Sequence, residues 1–119
     1  MTTLIYSGVT ESVSVTATAA DTSANLLYSC PNNHDAEVVF LFVTNGAATQ
    51  EINIQFYHAD TDEWHYISRS HNLAGKTTYN VLETSSIFLH AGDKIAVYKG
   101  GGTIDATLSA KQYFNPSRN

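Results

Sequence analysis

The residues of this chain best suited to chemistry are its five histidines. His58 and His65 flank a short acidic stretch containing Asp60, Asp62 and Glu63, and His71 follows soon after. Imidazole and carboxylate groups converging in threes or fours would hold zinc or a similar divalent ion, the basis of a metal-dependent enzyme. The spacing brings only the two histidines together, while the carboxylates equally suit a solvated hairpin tip. The sequence therefore assigns no catalytic residue, cofactor or metal, and keeps His58, His65, Asp60 and Asp62 as weak metal candidates. A calcium loop opening at Asp60 fails, since Trp64 and His65 would fill positions that need an oxygen ligand and a glycine.

Other chemistries find less support. No G-x-S-x-G elbow occurs, and nothing sets a serine beside a histidine oriented by a carboxylate. Cys30, the single cysteine, ends an apolar segment and suits a small buried hydrophobe better than a nucleophile. Gly100-Gly101-Gly102 lacks the Lys and Ser/Thr of a phosphate-binding loop and sits between two strands as a turn. The adjacent pair Asp62-Glu63 does not flank a sugar bond as a glycosidase needs. Binding is better served, because Tyr57, Trp64, Tyr66 and Tyr79 fall outside the expected inward face. Aromatic side chains there suit a protein interface or sugar stacking.

The elements that must position these residues are strands. Val13, Val15, Ala17 and Ala19 alternate with Ser and Thr, a period-two pattern with a shallow apolar face. Leu26 to Cys30 runs into Pro31 and an Asn/Asp turn. The run 37–44 is apolar on both faces and predicts a central strand covered on each side. Asn45-Gly46 predicts a tight turn, with a hairpin to 52–57 directly after it. A further hairpin joins 52–57 to 64–68, and a turn over 60–63 would set His58 opposite His65 and Phe56 opposite Ile67. That register places Ile52, Ile54, Phe56, His58, His65 and Ile67 inward, with Tyr57 and Tyr66 outward. Strands at 78–82, 87–89, 94–98 and 103–114 follow, and residues 115–119 form a loose tail.

Turn signals at this spacing predict an all-β, single antiparallel β-sandwich of about eight strands, jelly-roll or immunoglobulin-like, spanning residues 1–119. Composition agrees. Only 14% of the 119 residues are charged against 43% hydrophobic, and Ser, Thr and Asn supply polarity in place of the Glu, Lys and Arg of helical proteins. With 11 acidic and 6 basic residues the formal net charge is −5, which argues against a nucleic-acid surface. One cysteine allows no disulfide within the chain, in keeping with assembly in a reducing cytoplasm. The longest apolar run, 38–43, is far short of the ~18 residues of a membrane span, and the N-terminus lacks the charged start of a signal peptide. Neither secretion nor a membrane anchor is expected.

Three landmarks resemble a family of small β-sandwich virion structural proteins of tailed bacteriophages, including those of marine cyanobacteria. They are Leu27-Tyr28-Ser29-Cys30-Pro31 followed by the strand 38–43 and Thr44-Asn45-Gly46; Ile87-Phe88-Leu89-His90-Ala91-Gly92-Asp93-Lys94-Ile95, a strand, Gly-Asp turn and strand; and the closing strand Asp105 to Phe114. The likeness spans 27–114 in order and spacing. Asn32-Asn33-His34-Asp35 departs from it, standing where relatives more often carry a Gly/Lys/Thr turn.

The resemblance implies a non-enzymatic structural role on the phage particle, as a capsid decoration or cement protein or a tail part, assembled in the host bacterial cytoplasm. It transfers no catalytic residue. In the leading expectation, segment 1–20 is an arm or edge strand that pairs with a neighbouring subunit or grips the capsid, giving a dimer or trimer. The alternatives are a tail-associated module binding a receptor or carbohydrate through Trp64, Tyr57, Tyr66 and His71, and a metal-dependent enzyme built on His58 and His65.

Overall fold

The computed structural model describes residues 5–17, 25–46, 48–99 and 104–115. These form nine strands: β1 (Ile5–Ala17), β2 (Asn25–Ser29), β3 (His34–Asn45), β4 (Gln50–His58), β5 (Glu63–Leu73), β6 (Thr77–Asn80), β7 (Ile87–His90), β8 (Lys94–Lys99) and β9 (Ile104–Phe114). Every pairing between them is antiparallel. One sheet has the order β1-β9-β3-β6, with β7 also paired to β3, and the other has the order β2-β8-β4-β5.

β6 and β7 bond to opposite halves of one edge of β3, β6 to Phe42 through Asn45 and β7 to Asp35 through Val38. They count as one interrupted strand, so the described residues give eight strand positions, four in each sheet. Most connections cross from sheet to sheet, and this order is that of a jelly roll. An immunoglobulin-type domain would set the first strand beside the second. Here β1 lies beside β9 and β2 beside β8, so the jelly roll is the correct one of the two expected forms.

The core lies between the sheets. Alternation turns Ala36, Val38, Leu41 and Val43 of β3, Ile104, Ala106, Leu108 and Ala110 of β9, Ile52 and Ile54 of β4, and Ile95 and Val97 of β8 inward, where all are buried. Fully burying one such Val, Leu or Ile side chain stabilises the fold by about 1.5–3 kcal/mol before entropy is counted.

Several expectations need correction. β3 and β4 do not form a hairpin around Asn45-Gly46, since β3 belongs to one sheet and β4 to the other. Both edges of β3 are already taken, by β9 and by β6 with β7, so the chain must turn the corner. Asn45 builds that corner: it is buried, its Nδ2 donates to the carbonyls of Ala48 (2.8 Å) and Leu73 (3.0 Å), and its Oδ1 accepts from Gln50 Nε2 (3.2 Å).

β3 is central, as its sequence suggests, yet it is covered on its inner face alone. Val39 and Phe40 are half-buried, and Phe42 remains 37% exposed on the outer face. At the C-terminus, Asn115 is buried rather than loose. Its amide donates to the Asn33 carbonyl (2.7 Å) and its Nδ2 to Asp35 Oδ2 (3.0 Å). The rest of the expected tail, 116–119, the glycine turn 100–102, and residues 1–4 and 18–20 of the expected arm lie outside the described residues. Within the arm, 5–17 is an edge strand paired to β9 at residues 5, 6 and 10–17, with a register shift between Tyr6 and Thr10.

Candidate interaction surfaces

The β4–β5 hairpin is tighter than its sequence suggests. Its connection is 59–62, so His58 stands opposite Glu63 and Phe56 opposite His65. The expected pairing of His58 with His65 is therefore wrong by two residues, and the same slip removes the pairing of Phe56 with Ile67. Two register shifts along β5, with Ser70 at φ 53° and its amide bonded to Asn53 Oδ1, then absorb extra residues. Alternation alone cannot reveal them.

The weak metal candidates separate accordingly. His65 is exposed, while His58 sits at the end of the sandwich with its ring against Phe56, at a centroid distance of 5.9 Å. His58 Nδ1 lies 3.7 Å from Asp93 Oδ1, beyond hydrogen-bond reach. Asp62 accepts a hydrogen bond from the Tyr57 hydroxyl, which pushes the Tyr57 phenol above its ordinary value. Asp60 is exposed. Among the described residues no three His, Cys, Asp or Glu side chains are grouped to hold a metal ion.

Of the aromatic candidates, three share the outer face of the β2-β8-β4-β5 sheet. Tyr57 stands opposite Trp64, and Gln55 opposite Tyr66. Trp64 is 43% and Tyr66 49% exposed. Lys94 Nζ lies 5.1 Å from the centre of the Tyr57 ring, and the Arg69 guanidinium 4.9 Å from that of Tyr66. The cations hold the rings as a firm, partly charged platform. Tyr79 does not join them. Paired with Val43 on β6, it turns inward, stacks on His71 at 3.8 Å and sets its hydroxyl 3.2 Å from Ser68 Oγ. Its role is to close the gap between β6 of one sheet and β5 of the other, and His71 is taken up in the same stack.

The Gly-Asp turn between β7 and β8 is a structural clamp. Asp93 is 2% exposed; its Oδ1 accepts from the Ala59 amide (2.9 Å) and its Oδ2 from the His90 amide (2.8 Å). Its own carbonyl accepts from the Cys30 amide, and the Cys30 carbonyl accepts from the Gly92 amide. Asp93 thus fastens the ends of β2, β4 and β7 together, β2 through its backbone carbonyl and the other two through its carboxylate. The Cys30 thiol beside it is pushed up to about 12, chiefly by burial and further by the nearby Asp35 and Asp93 carboxylates. A thiol so held is protonated and a poor nucleophile at neutral pH.

The outer face of the β1-β9-β3-β6 sheet carries a second apolar surface, missed in the sequence. Phe40 and Phe42 stack at 5.2 Å, and Phe88 on β7 is 68% exposed. Near Phe88 lies a cavity of about 410 Å³ lined by Asp35, Ala36, Leu89, His90 and Tyr113. The signal was present in β3, whose run is apolar on both faces although the fold buries only one.

No protein-family model matches the chain, and no curated protein matches it in sequence. In fold it is similar to a chain of the acidic stable capsid of Helicobacter pylori bacteriophage KHP30. The two share 16% identity and a TM-score of 0.52, over 98% of this chain and 95% of that one. A chain of the Bacillus endospore appendages, a family of disulfide-linked pili, aligns over 98% of this chain and 92% of its own at 14% identity and a TM-score of 0.49. A chain of infectious bursal disease virus, Gt strain, aligns over 99% of this chain and 38% of its own, at 10% identity and a TM-score of 0.29. The likeness of fold rests on the phage chain.

Proposed function

We propose that this chain is a non-enzymatic structural protein of a bacteriophage particle, a capsid decoration or cement protein that acts by protein–protein contact. It is made in the host bacterial cytoplasm, associates with copies of itself, and binds capsid or tail proteins. The observation that carries this reading is the jelly roll, similar nearly end to end to that of a phage capsid chain. The exposed aromatic faces of both sheets support it, since large apolar side chains left in water at a sheet surface favour burial against a partner.

The test is quantitative mass spectrometry of virions from the lysate in which the chain is produced, with purified protein added back to shells that lack it. Hundreds of copies per particle and saturable binding to heads are expected. A few copies per particle would make it a tail part, and none would overturn the reading.

Trp64 and Tyr66, beside Arg69, favour one second reading, a tail module that stacks on a receptor carbohydrate. A glycan array distinguishes it: sugar binding abolished by Trp64→Ala supports the tail module, and no binding favours decoration.

A further inference from the structure

β3 is apolar on two faces, and the fold uses one. Across the outer face the register sets Phe88 of β7 beside Glu37 of β3 and Glu37 beside Lys111 of β9. The next rows pair Phe40 with Ser109 and Phe42 with Thr107. Large side chains therefore run down β3 and short ones down β9. Glu37 and Lys111 form no ion pair with each other.

We propose that this face seats a second copy of the chain, in a two-fold dimer with β3 of one protomer lying over β9 of its partner. An axis parallel to the strands and midway between β3 and β9 exchanges the two. It brings Glu37 of each copy against the other's Lys111, and Phe42 of each over the other's Thr107. Charge meets opposite charge twice, and the exposed Phe42 ring meets the shorter Thr107 twice. Such self-complementarity is what an isologous interface requires, since residue i contacts j and j contacts i.

The balance of charge also favours a second copy. The chain as a whole carries −5, so two copies repel in general. The centre of this face holds Glu37 and Lys111; Asp35, in the row before Glu37, is engaged by His90 and Asn115, and Asp105 lies a row beyond Phe42, at the rim. In this arrangement each Glu37 meets a lysine rather than a carboxylate, which offsets part of that repulsion.

The inference deepens the self-association in the reading above and rests on that part alone. Its test is sedimentation velocity of the full chain across a concentration series, in low and high salt. A dimer is expected for the wild type. Glu37→Lys or Lys111→Glu alone should weaken it on the order of tenfold or more, and the double exchange should restore it. Phe42→Ser should leave a monomer whose circular dichroism still reports the folded sandwich.

A wild type that stays monomeric at millimolar concentration overturns the proposal. So does a dimer indifferent to Glu37→Lys, or one that the double exchange fails to restore. A dimer that obeys the charge exchange but binds no shell keeps this surface and removes the virion role; a monomer that binds shells does the reverse.

Discussion

Gly92 stands against Ala59 so closely that a Cβ added to it would lie 3.1 Å from the Ala59 Cβ, and its φ of +87° is one that side-chain-bearing residues rarely adopt. The β7–β8 turn thus reaches the β4–β5 connection only because its second residue is glycine. Gly92→Ala should lower stability by about 1–3 kcal/mol through backbone strain and crowding. Urea unfolding would show this as a lower midpoint at unchanged slope. A midpoint equal to wild type would mean that the turn is free to relax.

Asp93 shares that turn and predicts a comparable effect. Its carboxylate, itself buried, satisfies the part-buried Ala59 and His90 amides. Asp93→Ala leaves both donors without their acceptor, at a cost of roughly 1–3 kcal/mol. Amide hydrogen exchange gives the specific readout: the Ala59 and His90 amides should lose protection first, while Leu41 and Leu108 in the core keep theirs relative to global stability.

Cys30 should react with iodoacetamide at neutral pH only when the protein is unfolded. Burial holds its thiol at about 12 against an ordinary 9.0, so the folded state keeps a proton that the unfolded chain releases. The buried thiol's contribution to stability is then complete below pH 9 and is lost as pH rises toward 12. Comparing wild type with Cys30→Ala from neutral to strongly alkaline pH isolates it. The wild type should lose more stability over that window, and parallel curves would rule the effect out.

Particular residues show what the sequence can carry. The alternation of Ile52, Ile54 and Phe56, of Ile95 and Val97, and of Ile104 through Ala110 marks strands with one inward face, and the structure buries those residues or packs them against the core. A local pattern cannot say which edge pairs with which, because hydrogen bonding between strands is blind to side-chain type. Asn45-Gly46 thus suggests a hairpin where the chain changes sheet. The pattern is equally silent on bulges. The shift at Val39 inserts a residue without breaking the apolar run, those along β5 fall among polar residues, and each changes which side chains meet. Tyr79 illustrates a third limit. Its inward stack on His71 depends on two strands in different sheets meeting at an open side, a contact that no spacing encodes. The outer face of β3 was legible in principle, since an apolar residue there that the core does not claim must be covered by something else.

Asn45 provides the last prediction because it joins these themes. Its amide ties the end of β3 to Ala48 in the connection, to Gln50 at the start of β4 and to Leu73 at the end of β5, and its carbonyl accepts from the Lys76 amide. Asn45→Leu conserves volume but supplies no donor to the Ala48 and Leu73 carbonyls and no acceptor to Gln50. The Leu73 carbonyl would lose a donor in a buried site and the Ala48 carbonyl one at its exposed rim, costing about 1–3 kcal/mol in total. Adding Gln50→Leu removes the donor that lost the Asn45 Oδ1 acceptor. The double variant should therefore recover part of the loss, a coupling of about 1 kcal/mol in a double-mutant cycle. If the two substitutions were simply additive, the corner would be held by the backbone path through Gly46 rather than by the Asn45 side chain.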